Sequence, residues 1–202
     1  MANLTHNNQP IKVVQSLDEA AWRQFVAEHP DGNIFHTPEM YQVFSKTKSC
    51  QPEVWAALDE RKEILALLLP VHITLNNGLL RSIATRSIVF GGVLAEHSQR
   101  GNEALSSLLD AYKKASVRKS VFTEVRNVFP GNEIQPVLNR AAFKYEDHLN
   151  YLVHLEENSD EVFNRIGHRT QKNLRRGLKK ALVEIREVQD IEELEDGYSL
   201  LK

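Results

Sequence analysis

Hydrophobic and polar positions along this 202-residue chain change period several times, and each change predicts an element. From Ser159 to Leu182 the period is helical. Phe163, Ile166, Thr170, Leu174, Leu178 and Ala181 recur at spacings of three and four, which predicts one long helix with one apolar face. Asn158 or Ser159 caps its start, and Asp160 and Glu161 favour its first turn. Earlier in the chain, Ile11 to Val14 predicts a short strand. Ser16-Leu17-Asp18-Glu19 then reads as a capping box for a helix that buries Ala20, Trp22, Phe25 and Val26. His29-Pro30-Asp31-Gly32 ends that helix, and Thr37-Pro38-Glu39 starts a second with proline at its first position.

A β region follows. Glu53 to Leu58 and Glu63 to Leu75 flank a turn at Asp59-Glu60-Arg61-Lys62. Asn76-Asn77-Gly78 is a further turn, followed by strands over Leu79 to Ala84 and Ser87 to Leu94. Within the last, Gly91-Gly92 marks a bulge or a close backbone approach. Gly101 to Val117 predicts a helix with Leu105, Leu108, Leu109 and Tyr112 inward. Val121 to Val125 is a strand and Ile134 to Ala142 a short helix. Leu149, Tyr151, Val153 and Leu155 alternate as a half-buried strand before the long helix, and Val183 to Val188 is a strand after it. Asp190 to Lys202 opens another helix, with Ile191, Leu194, Tyr198 and Leu201 on one face. This order of helices and mostly antiparallel strands predicts an α+β or α/β layout.

Charge changes the picture at one place. The chain has 25 Lys plus Arg against 27 Asp plus Glu. Arg165, Arg169, Lys172, Arg175, Arg176, Lys179 and Lys180 share an arc of roughly 140° on the predicted long helix. No acid lies between Val162 and Val183. Without those seven cations the rest of the chain carries 18 bases against 27 acids, so the positive charge is concentrated. A concentrated stripe attracts phosphates and carboxylates, whereas ordinary exposed helix faces mix signs.

Other chemistry is excluded or thin. The single cysteine, Cys50, rules out an internal disulfide and a cysteine metal site, and it reads as a small core residue. The histidines (His6, His29, His36, His72, His97, His148, His154 and His168) show no metal-ligand spacing, so no metal is expected. There is no G-x-S-x-G and no P-loop. Trp22 and Trp55 read as core. Tyr151 reads as core, with substrate contact through its hydroxyl the alternative. The N-terminus has no apolar signal segment, and the longest apolar run, Ile64 to Val71, is far short of a membrane span. A cytoplasmic protein is the expectation.

The order of elements resembles the GNAT acyltransferase superfamily. The resemblance implies an α+β, GNAT-like three-layer domain with a mixed, largely antiparallel sheet flanked by helices. In that superfamily an R/Q-x-x-G-x-G/A turn cradles the coenzyme A pyrophosphate at a helix N-terminus. Ser98-Gln99-Arg100-Gly101-Asn102-Glu103 stands there, and only Gly101 fits. It reads as the start of a helix, and no useful affinity for acetyl-coenzyme A is expected.

Two tracts narrow the likeness to the Fem-type aminoacyltransferases, which build peptidoglycan bridges from two GNAT-like halves. Asn33-Ile34-Phe35-His36-Thr37-Pro38-Glu39-Met40 is similar to their opening motif, with Met40 where the family has Trp. Lys172 to Val183 is similar to their basic helix tract, and Leu149 to Leu155 to the strand before it. Lys46 and Lys48 lie near the family's lysine but out of register. The resemblance covers the family's first half. It implies a domain over 1–189 and, over 190–202, the start of a linker helix to a second half.

The implied activity is transfer of an acyl or aminoacyl group to an amine, in cell-wall peptidoglycan precursor modification. Acyl-coenzyme A or aminoacyl-tRNA would be the co-substrate, with no cofactor held by this chain. Arg165, Arg169, Lys172, Asn173, Arg175, Arg176 and Lys179 are the expected substrate-binding residues, for an anionic small molecule, a cell-wall precursor or tRNA. No general base is assigned. Two rival readings stand beside this. One is a binding module whose basic helix docks nucleic acid or an acidic partner, although the tract's only aromatic is Phe163. The other is an acetyltransferase whose coenzyme site lies in a further half.

Overall fold

The computed structural model describes residues 10–74, 85–128, 133–148, 158–180 and 187–199. The chain forms two compact units, Met1–Glu146 and Asp147–Lys202. The strands expected over 79–84 and 149–155, the turn at 76–78, most of the strand expected over 183–188, and Tyr151 lie outside the described residues.

The first unit holds two four-stranded sheets. One joins β1 (Lys12–Val14), β3 (Trp55–Leu58), β4 (Ile64–Leu68) and β7 (Leu94–Ala95), in the order β1-β3-β4-β7 and antiparallel throughout. The other joins β2 (Cys50–Pro52), β5 (Val71–Thr74), β6 (Thr85–Val89) and β8 (Thr123–Val125), in the order β2-β5-β6-β8, with β6 and β8 parallel. The chain passes from the first sheet to the second at Leu69-Pro70, where proline lacks the N–H a ladder needs. The Pro70 carbonyl instead accepts from Glu53 N at 2.8 Å. It passes back at Phe90 to Val93.

The run expected as one strand over Glu63 to Leu75 is therefore two strands. Asp59 makes the turn before it, its Oδ1 accepting from the N–H groups of Arg61 and Glu63. Side chains along β3 and β4 alternate between two buried faces. Trp55, Ala57, Ala66 and Leu68 meet α3 (Gln99–Ser116) through Ala104, Leu105, Leu108, Leu109 and Tyr112. Val54, Ala56, Leu67 and Leu69 meet Trp22 and Val26 of α1 (Glu19–Glu28). Burial on both faces explains the unbroken apolar run at Ile64 to Leu69. The result is an α+β fold in three layers.

The caps are local. Asp18, not Ser16, caps α1, accepting from Ala21 N at 3.0 Å; a carboxyl side chain two residues closer to the helix fills the role. Thr37 caps α2 (Pro38–Lys46), with Pro38 at the first position as expected. Cys50 is partly buried on β2. The expected short helix is α4 (Gln135–Arg140).

The second unit corrects the largest helical expectation. Ser159 to Leu182 is not one helix. α5 (Ser159–Arg165) and α6 (His168–Lys179) are separated at Ile166-Gly167, where Ile166 is extended. Gln171 is the physical reason. Its Nε2 donates to the carbonyls of Asn164 (3.3 Å) and Ile166 (2.7 Å), satisfying acceptors that a continuing helix would have used. Arg175 then lies over the Phe163 ring at 5.0 Å. In a straight helix those residues would stand about 18 Å apart, so α6 turns back toward α5. Asn158 caps α5, accepting from Asp160 N and Glu161 N. Asp190 accepts from Glu193 N at the start of α7 (Ile191–Ser199).

Candidate active site

β6 and β8 run side by side only as far as Val89 and Val125. Arg126 N donates to Val89 O at 3.0 Å, and there the ladder ends. Asn127 takes the next carbonyl with its side chain, Nδ2 donating to Phe90 O at 3.0 Å, from a left-handed backbone (φ 59°) that asparagine tolerates. Among the described residues β7 is an edge strand beyond this point. The gap is a cleft of about 410 Å³ lined by Pro30, Asp31, Gly32, Asn33, Gly91, Gly92, Val93, Ala95, Asn127 and Ile134.

The direction of the β7 backbone groups follows from the antiparallel alternation. Glu96 N bonds Leu65 O on the β4 side. Ala95 therefore turns its N–H and C=O groups the other way, toward the open edge. Ala95 O confirms this by accepting from His29 Nε2 at 2.9 Å. Among the described residues nothing accepts from the Val93 N–H. Val93 itself lines the cleft.

The double glycine is a close approach, as the sequence indicated. A Cβ at Gly91 would stand 2.8 Å from Asn33 Oδ1 and from the His36 ring. Gly92 has φ +83°, a conformation that favours glycine. Asn33 Nδ2 donates to Gly91 O at 3.3 Å. His36 is fully buried. Its Nδ1 accepts from Asn33 N and its Nε2 donates to Gly92 O, both at 3.3 Å, and Trp22 Nε1 donates to its carbonyl at 2.6 Å. Burial pushes the imidazole down to about 4, so it is neutral and acts as a strut. Beside the cleft Phe90 stacks on Phe35 and Phe44, at 5.9 and 5.3 Å, with the Arg126 guanidinium 5.2 Å from its ring centre.

Three groups gather at the mouth. His29, Asp31 and His97 offer ligand atoms within 4.8 Å of one another. His29 is spent, however: Nδ1 accepts from Asp31 N at 3.1 Å while Nε2 donates to Ala95 O. The arrangement is a hydrogen-bonded cluster in which His29 has no lone pair for a metal. His97 Nε2 meets Asp31 Oδ2 at 3.0 Å across 66 residues of chain. A second pair, His72 and Glu53, lies in the β5 region. The imidazole, followed by Lys119 and Trp55, pulls the Glu53 carboxyl down to about 2 against the opposing effect of burial. Sequence spacing signalled neither pair.

At the turn into α3 two N–H groups already have partners within the chain. Ser98 Oγ accepts from Gly101 N at 2.9 Å, and Ser98 O accepts from Asn102 N at 3.1 Å. A Cβ at Gly101 would stand 2.0 Å from Glu96 O. The glycine thus serves packing of the β7–α3 loop. Glu103 is exposed on the same turn and accepts from Gln99 Nε2. The Gly101 and Asn102 N–H groups are thus taken within the chain, and a carboxylate stands on the same turn.

The expected substrate-binding residues stand in the second unit. Arg165 closes α5, and Arg169, Lys172, Asn173, Arg175, Arg176 and Lys179 lie on α6, all exposed. Two expectations need correction. Arg175 does not face away from Phe163 but covers it. Leu174 and Leu178, expected to be buried, are 43% and 67% exposed, because the break at Gly167 removes the straight apolar stripe. Ile191, Leu194 and Tyr198 on α7 are also exposed.

No family model matches this chain, and no curated protein matches it. Solved structures do. A transcriptional regulator from Bacillus halodurans C-125 superposes with a TM-score of 0.50 at 18% identity, over 72% of this chain and 100% of that one. A probable acetyltransferase gives 0.47 at 15% identity, over 73% and 99%. An aminoglycoside 6'-N-acetyltransferase from Acinetobacter baumannii gives 0.46 at 13%, over 74% and 99%. The fold is GNAT-like. At these identities the likeness is one of fold, and the narrower Fem-type likeness rests on the sequence tracts alone. Among the described residues no helix is long and apolar enough to cross a membrane.

Proposed function

We propose that the cleft of the first unit is an acyl-transfer site that delivers an acyl or aminoacyl group to an amine. The observation that carries the reading is the open edge of β7, with the unpartnered Val93 N–H on a lining residue and Asn127 on the cleft wall. An extended donor arm fits the place of the missing strand, because edge N–H and C=O groups pair with any extended chain. The acyl oxygen would then accept from the Val93 N–H, and the bond would strengthen as charge develops on it. The amine attacks the acyl carbon, the C–N bond forms, and the C–S or C–O bond to the donor breaks.

The donor is one that does not rely on a diphosphate at the α3 turn. An aminoacyl ester on tRNA or a short thioester meets that condition, and the first agrees with the Fem-type resemblance. In this reading the acceptor is a cell-wall precursor amine. Arg165, Arg169, Lys172, Asn173, Arg175, Arg176 and Lys179 bind the polyanionic part of a substrate, the guanidinium forks matching its oxyanions.

The test offers the protein acetyl-coenzyme A, the acetyl thioester of N-acetylcysteamine and aminoacyl-tRNA, each with a panel of primary amines. Mass spectrometry reads the acylated amine. Transfer from a donor lacking the coenzyme diphosphate, faster than from acetyl-coenzyme A, is expected. No transfer from any donor, with tRNA still retained, would leave the binding-module reading in its place.

A further inference from the structure

We propose that His97, oriented by Asp31, is the general base that takes the proton from the acceptor amine at the mouth of the cleft. The proposal rests on the acyl-transfer reading and deepens it by naming a residue. Amines are mostly protonated at neutral pH and cannot attack until they lose that proton. The cleft therefore needs a group with an accessible lone pair at its rim.

The described histidines of the first unit separate cleanly on this criterion. His29 uses both ring nitrogens, one with Asp31 N and one with Ala95 O. His36 uses both, with Asn33 N and Gly92 O, and is fully buried. His72 is buried beside Glu53 in the second sheet. His97 is half exposed, two residues past Ala95 of the cleft wall, and its Nε2 meets Asp31 Oδ2, itself on a lining residue.

A carboxylate only accepts, so Nε2 carries the hydrogen and Nδ1 carries the lone pair. Among the described residues nothing is bonded to Nδ1. Asp31 thus fixes the tautomer and stabilises the imidazolium that forms, the role a buried carboxylate plays in hydrolytic triads. Its position is fixed in turn, because its own N–H donates to His29 Nδ1. The titratable groups facing His97 are Asp31 and His29, whose ring meets it edge-on at 5.4 Å. Glu96 precedes it in the chain and is exposed.

The step balances. The ammonium form of the acceptor gives one proton to His97 Nδ1. The free amine attacks, the C–N bond forms and the C–S or C–O bond breaks. A second amine proton leaves with the departing sulfur or oxygen, and the imidazolium returns its proton to solvent.

The experiment compares wild type, His97→Gln and Asp31→Asn, with folding checked by circular dichroism, on whichever donor supports transfer. His97→Gln should lower kcat about 100-fold with acceptor KM nearly unchanged, and should abolish the acidic limb of the pH profile. Asp31→Asn should lower kcat less than His97→Gln does, since the ring keeps its lone pair but loses the acceptor that fixes its tautomer. Wild-type transfer with a fully active His97→Gln variant overturns the base and leaves the acyl-transfer reading standing. Transfer by no protein overturns that reading and the base with it. Nitrogen NMR of the ring tests the geometry without any turnover. An Nε2–H tautomer in the wild type that is lost in Asp31→Asn supports the dyad, and an Nδ1–H tautomer in the wild type overturns it.

Discussion

Asn33, Gly91 and Asn127 reach the cleft from positions 94 residues apart, whereas Arg169 to Lys179 lie within one stretch of eleven. The first unit, at the cleft and at the loop beside it, is tightly packed: Gly91 and Gly101 have no room for a methyl group. The basic helix is open: Gly167 and Gly177 have nothing within 4 Å of an added Cβ. One region is specified by close approach of distant backbone, the other by charge pattern along a local element. The same kind of change should therefore act on them in opposite ways.

The largest effect is expected at Gly101. A methyl group there meets the Glu96 carbonyl oxygen at 2.0 Å, and that contact is backbone, which cannot swing aside. Gly101→Ala should cost about 3 kcal/mol or more, or prevent folding, as read by urea unfolding. Gly177→Ala, inside α6, should do the reverse and stabilise its helix by about 1 kcal/mol. Equal effects at the two glycines would erase the contrast.

Acid should separate the regions next. The His36 imidazole is held near 4 in the fold against 6.5 in the unfolded chain. The unfolded state therefore binds more protons between those values, and stability is full above pH 6.5 and lost as pH falls toward 4. The loss should approach about 3 kcal/mol, from 1.36 kcal/mol per pKa unit. The Glu53 carboxyl, held near 2 against 4.5, adds a second loss as pH falls from 4.5 toward 2. His36→Asn should flatten the upper part of the first unit's denaturation profile, while the helicity of the second unit stays unchanged over it.

The smallest effects belong to the cations. Arg169→Ala with Arg176→Ala should weaken binding of a polyanion by about 1 kcal/mol per contact, with the loss shrinking as salt rises. Arg175 is a poorer probe, because its removal also uncovers the Phe163 ring. Filter binding to tRNA and calorimetry with a nucleotide-sugar precursor would distinguish the two polyanions.

Local signals were legible and assembled ones were not. The Thr37-Pro38 start, the Asp59 turn, the inward face of α3 and the close approach at Gly91-Gly92 all follow from nearest-neighbour chemistry, and the structure agrees with each. The break at Gly167 escaped because apolar periodicity runs straight through it. Only the Gln171 amide, folded back on Ile166 O, reveals why the helix stops. The crossing between sheets at Pro70 had its signal in the proline itself. The pairs His97–Asp31 and His72–Glu53 had none, since 66 residues separate the first and 19 the second. Their partners are chosen by the way β7 and β5 are placed, which spacing along the chain does not encode.

The claim that matters most is that the open edge of β7 receives an acyl donor. Amide NMR of the protein titrated with the acetyl thioester of N-acetylcysteamine tests it directly. The Val93 N–H should move downfield as the donor carbonyl accepts from it, with Gly92 and Asn127 shifting alongside and the α6 amides unmoved. Shifts confined to α6, or none in the cleft at millimolar donor, would contradict it.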